Sequence, residues 1–130
     1  MKTILVSNYS HALTTNSLTY TRNGASGTYY YHAIEVRVNR TGDYTFRTSS
    51  AIPDTYGYLY QGNFYPSYPS YNIVTQDDDG SGNNQFRILA SLRADITYIL
   101  VFTTYNQQPT GSFDVSVSGP GYASLIGISP

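Results

Sequence analysis

The chain has no cysteine, one lysine, one glutamate and two histidines, and only 12% of its residues are charged. Without cysteine, a disulfide framework and a thiolate metal site are both impossible, and the redox compartment is left open. A formal net charge of -1 and the lack of any basic stripe leave no field to draw nucleic acid or an acidic membrane surface. No stretch approaches the ~20 apolar residues that a membrane-spanning helix needs. Met1-Lys2-Thr3 with Ile4-Leu5-Val6 is too short for the apolar core of a signal peptide and reads as the start of an excised domain.

Catalytic signatures are scarce too. His11 and His32 are the only imidazoles, and neither a Gly-x-Ser-x-Gly elbow nor a histidine pair at metal-ligand spacing occurs. His32 shares parity with apolar neighbours, which predicts a hydrogen-bonded histidine at the edge of a core. The expectation is that the chain is not an enzyme.

What is abundant is Ser, Thr, Asn, Gln and Gly, with fifteen tyrosines among 130 residues. This is the composition of an extracellular β-protein, so a secreted or cell-surface location is expected. Asn8-Tyr9-Ser10 and Asn39-Arg40-Thr41 fit the N-glycosylation pattern, making Asn8 and Asn39 candidate acceptors. The length suits one domain with a core of its own.

Period-two alternation runs through most of the chain. Tyr30, His32, Ile34, Val36 and Val38 share one parity, and Tyr29, Tyr31, Glu35, Arg37 and Asn39 the other, predicting one core face and one wet face. Thr41-Gly42-Asp43 is predicted to turn a hairpin into the strand of Tyr44, Phe46 and Thr48. Phe86, Ile88, Ala90 and Leu92 point inward, and Ile96 to Phe102 is apolar on both faces, as in a central strand. With Arg93-Ala94-Asp95 as the turn between them, these two strands are expected to pair in mid-core. Phe113, Val115 and Val117 alternate with polar residues before Gly119-Pro120-Gly121.

The predicted fold is all-β, an antiparallel β-sandwich of jelly-roll or immunoglobulin-like type with about eight strands. Residues 1–27 read as N-terminal edge strands or a linker packed on the sandwich, 28–120 as the sandwich core, and 121–130 as a last strand or tail.

Several motifs occur in one order along the chain: Asp54-Thr55-x-x-x-Leu59-Tyr60, Asp78-Asp79-Gly80, Gln85-Phe86-Arg87-Ile88, Leu92 followed by Tyr98-Ile99-Leu100-Val101, and Gly111-Ser112-Phe113. Together they resemble the bacterial pre-peptidase C-terminal domain family, in the variant found in large secreted or surface multidomain proteins. The resemblance covers about Tyr30 to Gly119. It implies a secreted, non-catalytic sandwich module attached to enzymes or adhesins, some relatives binding collagen, polysaccharide or calcium. Gly57 stands where that family has an apolar residue, and Gln61 where it often has an aspartate.

Two constellations carry the functional expectations. Asp77, Asp78 and Asp79 repel one another unless a cation, an arginine or backbone N–H groups compensate. Calcium takes six to eight oxygens in flexible geometry, which makes Asp54, Asp77, Asp78, Asp79 and Asn83 a candidate metal site. The other reading is a solvated turn with an aspartate accepting local backbone N–H groups. Tyr56, Tyr58 and Tyr60 alternate along one strand, and Tyr65, Tyr68 and Tyr71 interleave with Pro66 and Pro69 in the long loop that follows. A row of such rings suits sugars or a matrix protein; the other reading is that they cover the sandwich and pin the loop.

Three functions compete. The first is an extracellular accessory module for adhesion or attachment to glycan or matrix protein. The second is a structural, self-assembling unit joined to neighbouring copies through edge strands or termini. The third, less favoured, is a glycosidase-like hydrolase using Asp54 and Asp78.

Overall fold

The computed structural model describes residues 4–78, 85–107 and 109–128. They form ten strands: β1 (Leu5–Leu13), β2 (Leu18–Tyr20), β3 (Tyr29–Val38), β4 (Gly42–Ser50), β5 (Thr55–Gln61), β6 (Ile73–Asp77), β7 (Arg87–Leu92), β8 (Tyr98–Thr104), β9 (Gly111–Gly119) and β10 (Ala123–Gly127). A four-stranded sheet in the order β1-β9-β4-β7 packs on a six-stranded sheet in the order β10-β3-β8-β5-β6, with β2 also on β3. All these pairings are antiparallel. The chain is an antiparallel β-sandwich, and no helix among the described residues is long and apolar enough to cross a membrane.

The alternating residues build the core from both sheets. Ile34, Val36, Val38, Leu59, Leu100 and Phe102 meet Tyr44, Phe46, Ile88, Phe113, Val115 and Val117. Phe102 and Phe113 stack face to face between the sheets, centroids 3.8 Å apart. Gly57 faces this core because it must: a Cβ there would lie 2.5 Å from the Phe86 ring. This glycine is thus the complement of a phenylalanine twenty-nine residues away.

Two expected hairpins are arches between the sheets. β3 pairs with β8, β10 and β2, while β4 pairs with β9 and β7, so the segment around Arg40 crosses from one sheet to the other. β7 and β8 part in the same way, β7 ending as an edge of the smaller sheet and β8 lying inside the larger. Alternation tells which parity is apolar, but a hairpin and an arch share that pattern. In an arch the apolar residues of the two strands face each other across the core instead of lying side by side.

The expected wet face of β3 is also corrected. Tyr31 and Ala33 are buried with Tyr20, Tyr58, Tyr60, Ile99 and Val101 in a second cluster on the outer face of the six-stranded sheet. Segments around Phe64 and Tyr20 lie over it as a partial third layer. β8 is therefore covered on both faces, as its continuous apolar run predicts.

Candidate functional site

β5 and β6 are joined by a loop over residues 62–72 that is held at several points. The N–H of Gly62 donates to Thr97 O at 2.8 Å, and that of Gln61 to Asn72 O at 3.0 Å. The Asn72 side-chain amide donates to Asn63 O, closing the loop at its neck. Asn72 itself has a φ of 68°, in the left-handed region that asparagine tolerates better than most residues. Phe64 is pressed edge-on against Tyr20 and Tyr31, centroids 5.4 Å away in each case. The Tyr60 hydroxyl donates to Pro69 O at 2.5 Å from beneath.

Within this frame, Tyr65-Pro66-Ser67-Tyr68-Pro69-Ser70-Tyr71 repeats a Tyr-Pro-Ser triplet. The N–H of Tyr68 donates to Tyr65 O and that of Tyr71 to Tyr68 O, at 2.9 and 3.0 Å, so each triplet makes one turn. The period of three in the sequence becomes a repeat in space, which places the tyrosines on one side. Tyr65, Tyr68 and Tyr71 are 42%, 71% and 60% exposed. With Ser70 and Asn72 they line an open hollow of about 640 Å³, and no charged side chain contributes to it. The Tyr65 and Tyr71 rings lie 5.8 Å apart, tilted by 49°.

The other three tyrosines do different work. Tyr56, Tyr58 and Tyr60 do share one face of β5, but Tyr58 and Tyr60 are completely buried, so no exposed row of rings runs along the strand. Burial raises the Tyr58 and Tyr60 hydroxyls well above the ordinary tyrosine range. The Tyr58 hydroxyl donates to Asn23 O at 2.7 Å. Tyr56 is half-buried, and its hydroxyl accepts from the Gln76 side chain. The reading that fits these rings is that of a cover for the sheet.

Sequence reasoning missed the group that organises them. Arg22 is 7% exposed. It lies over the rings of Tyr56, Tyr29 and Tyr105, at 4.6, 4.8 and 5.2 Å from their centroids. Its guanidinium donates to Thr104 O at 3.1 Å and Tyr105 O at 2.9 Å. A single arginine after a weak strand carries no signal for such a cage, whose walls come from three separate segments.

The acidic corner is described in part. The Asp77 carboxylate accepts the backbone N–H of Arg87 at 2.8 Å, across the seam between β6 and β7. Asp54 Oδ1 is buried without a hydrogen-bond partner among the described residues, and Asp78 is half-buried beyond the end of β6. Asp79 and Asn83 lie outside the described residues, and among the described residues no group of three acidic or imidazole side chains gathers to hold a metal ion.

The two histidines meet. His11 on β1 and His32 on β3 stack at 3.9 Å, and the Tyr9 hydroxyl is 2.8 Å from His32 Nε2. Burial, with His11 alongside, pushes His32 down to about 4. Of the candidate glycosylation sites, Asn8 is exposed on β1, whereas the Asn39 side-chain oxygen accepts the N–H of Tyr122.

Compared with known proteins, the chain matches no family model and no curated protein sequence.

Proposed function

We propose that this chain is a non-catalytic extracellular accessory module that attaches to uncharged glycan through Tyr65, Tyr68 and Tyr71. The observation that carries the reading is the hollow they form: three exposed rings on a loop tied down at its neck and from beneath. Pre-ordering of this kind lowers the entropy cost of binding, and a rigid amphipathic ring supplies contact area with a hydrogen-bonding tip. Ser70 and Asn72 add polar groups beside the rings. The lack of charge in the lining favours neutral sugar over acidic polymer. Retention on immobilised neutral polysaccharides tests the proposal: Tyr68→Ala and Tyr71→Ala should each weaken it with the thermal midpoint unchanged. Full retention by the double variant would refute it.

Calcium at the acidic corner accompanies this proposal. Its support is Asp54 Oδ1, a buried oxygen that a cation would satisfy. Calcium there would supply positive charge to carboxylates of like sign, and Asp54 and Asp78 are the described residues that would hold it. A thermal midpoint that rises with millimolar calcium, and not in Asp54→Asn/Asp78→Asn, is the expected result; the same midpoint with calcium and with chelator would reject it.

Self-assembly is the second reading, favoured by the exposure of Val6 and Ile126 at 51% and 56% on the terminal edge strands β1 and β10, and of Ile4, just before β1, at 65%. Concentration-dependent oligomers that dissolve on Val6→Ser/Ile126→Ser would select it.

A further inference from the structure

Arg47 on β4 and Arg87 on β7 stand directly opposite each other in the ladder. Both are exposed on the outer face of the four-stranded sheet. The ion pairs of the described residues, Arg37 with Glu35 and Arg93 with Asp95, lie elsewhere. Directly opposed residues on a sheet face have Cβ atoms about 4.5–5.5 Å apart, where like charges destabilise. The chain has only seven lysines and arginines in all, so placing two of them face to face is a cost that packing does not explain.

Among the described residues the nearby carboxylates make no ion pair with either guanidinium: Asp77, which lies closest, accepts the backbone N–H of Arg87 at 2.8 Å instead. Asp114, on the neighbouring rung of the sheet, accepts the hydroxyl of Ser10. Asp43 accepts the hydroxyl of Ser91 at 2.6 Å. Among the described residues, neither guanidinium has a hydrogen-bonding or ion-pairing partner. We propose that Arg47 and Arg87 form an oxyanion site that takes a carboxylate or sulfate group carried on a polysaccharide.

Guanidinium groups are planar forks that match such oxyanions with paired hydrogen bonds, and two of them side by side can hold one group between them. The same rung continues through Ser116 to Asn8, placing a hydroxyl and an amide beside the arginines. These suit sugar hydroxyls. A protein partner would need a buried apolar centre, and Leu89, two residues along β7, is here an isolated apolar group. Nucleic acid would need a longer track of cations than one pair. The site lies on the opposite side of the sandwich from the tyrosine loop, so it does not depend on the reading given for that loop.

The test uses the whole chain produced without glycosylation and three probes: polygalacturonate, dextran sulfate and uncharged dextran. At low ionic strength the wild type should bind at least one polyanion and lose that binding with added salt. Arg47→Gln/Arg87→Gln should weaken it at least about tenfold, as expected for losing charged hydrogen bonds, with a thermal midpoint unchanged or raised. Tyr68→Ala/Tyr71→Ala should bind the polyanion like the wild type. A preference between the two polyanions names the group, carboxylate or sulfate, and equal binding means that the site reads the charge they share. Binding that survives in Arg47→Gln/Arg87→Gln, or no polyanion binding by the wild type, overturns the proposal.

Discussion

The backbone N–H of Arg87 donates to the carboxylate of Asp77 at 2.8 Å, and this bond joins the edge strand of one sheet to the edge strand of the other. The opposite side of the sandwich is closed in the same manner, where the N–H of Ala123 on β10 donates to the hydroxyl of Ser7 on β1. A side-chain acceptor on one edge thus satisfies a backbone donor on the other at both seams.

Asp77→Ala removes the acceptor and leaves the Arg87 N–H at the seam without it. A loss of about 1–3 kcal/mol is expected, read as a lower urea midpoint with an unchanged slope. Asp77→Asn keeps an acceptor and should lose less.

Gly57→Ala drives a methyl group into the Phe86 ring, which is buried and has no room to withdraw. Overpacking of this kind costs about 1–3 kcal/mol. Paired with Phe86→Leu, the alanine should cost less than it does alone, because the two side chains compete for one space. A double-mutant cycle on unfolding free energies measures that coupling.

Stability should fall in mild acid through His32. Its folded value of about 4 lies below the ordinary value of 6.5, so between these limits the unfolded chain binds the proton more readily. The contribution is complete above pH 6.5 and is lost as the pH falls through 4, to the extent of about 1–3 kcal/mol. His32→Gln should flatten the thermal midpoint across that window; a slope as steep as that of the wild type would assign the effect to other groups.

Arg22→Met takes the cation out of its three-tyrosine cage and leaves the carbonyls of Thr104 and Tyr105 without its N–H groups. A loss of about 2–4 kcal/mol is expected, with Arg22→Lys in between, since an ammonium keeps the charge but not the fork. Chemical unfolding of the three proteins gives the order.

Much of the fold is legible one residue at a time. Ile34, Val36 and Val38, Phe86 to Leu92, and Phe113 to Val117 announce their inward parity, because a strand exposes successive side chains to opposite faces. Partner choice is not legible in this way. The turns around Gly42 and Ala94 could equally close hairpins or arches, and only the competing pairings of β3 with β8 and of β4 with β9 decide between them. Gln61 ends β5 at the neck of the loop, where its N–H donates to Asn72 O, a contact that its place in the sequence does not announce.

The site divides along the same line. Tyr56, Tyr58, Tyr60, Tyr65, Tyr68 and Tyr71 look alike as a sequence of rings, yet the first three cover a sheet and the last three stand in water. The difference is tertiary: segments around Tyr20 and Phe64 fold over the outer face of β5, and the turns of the loop lift Tyr65, Tyr68 and Tyr71 clear of it.

By itself, the sequence determined the all-β class, the inward parity of the core strands and the likeness of charge in the acidic run, because these depend on residue type and spacing. Only the tertiary structure decided which rings are free, that Arg22 is caged and that Arg47 faces Arg87. Each of these joins residues far apart in the chain, and strand pairing, not local chemistry, sets that distance to zero.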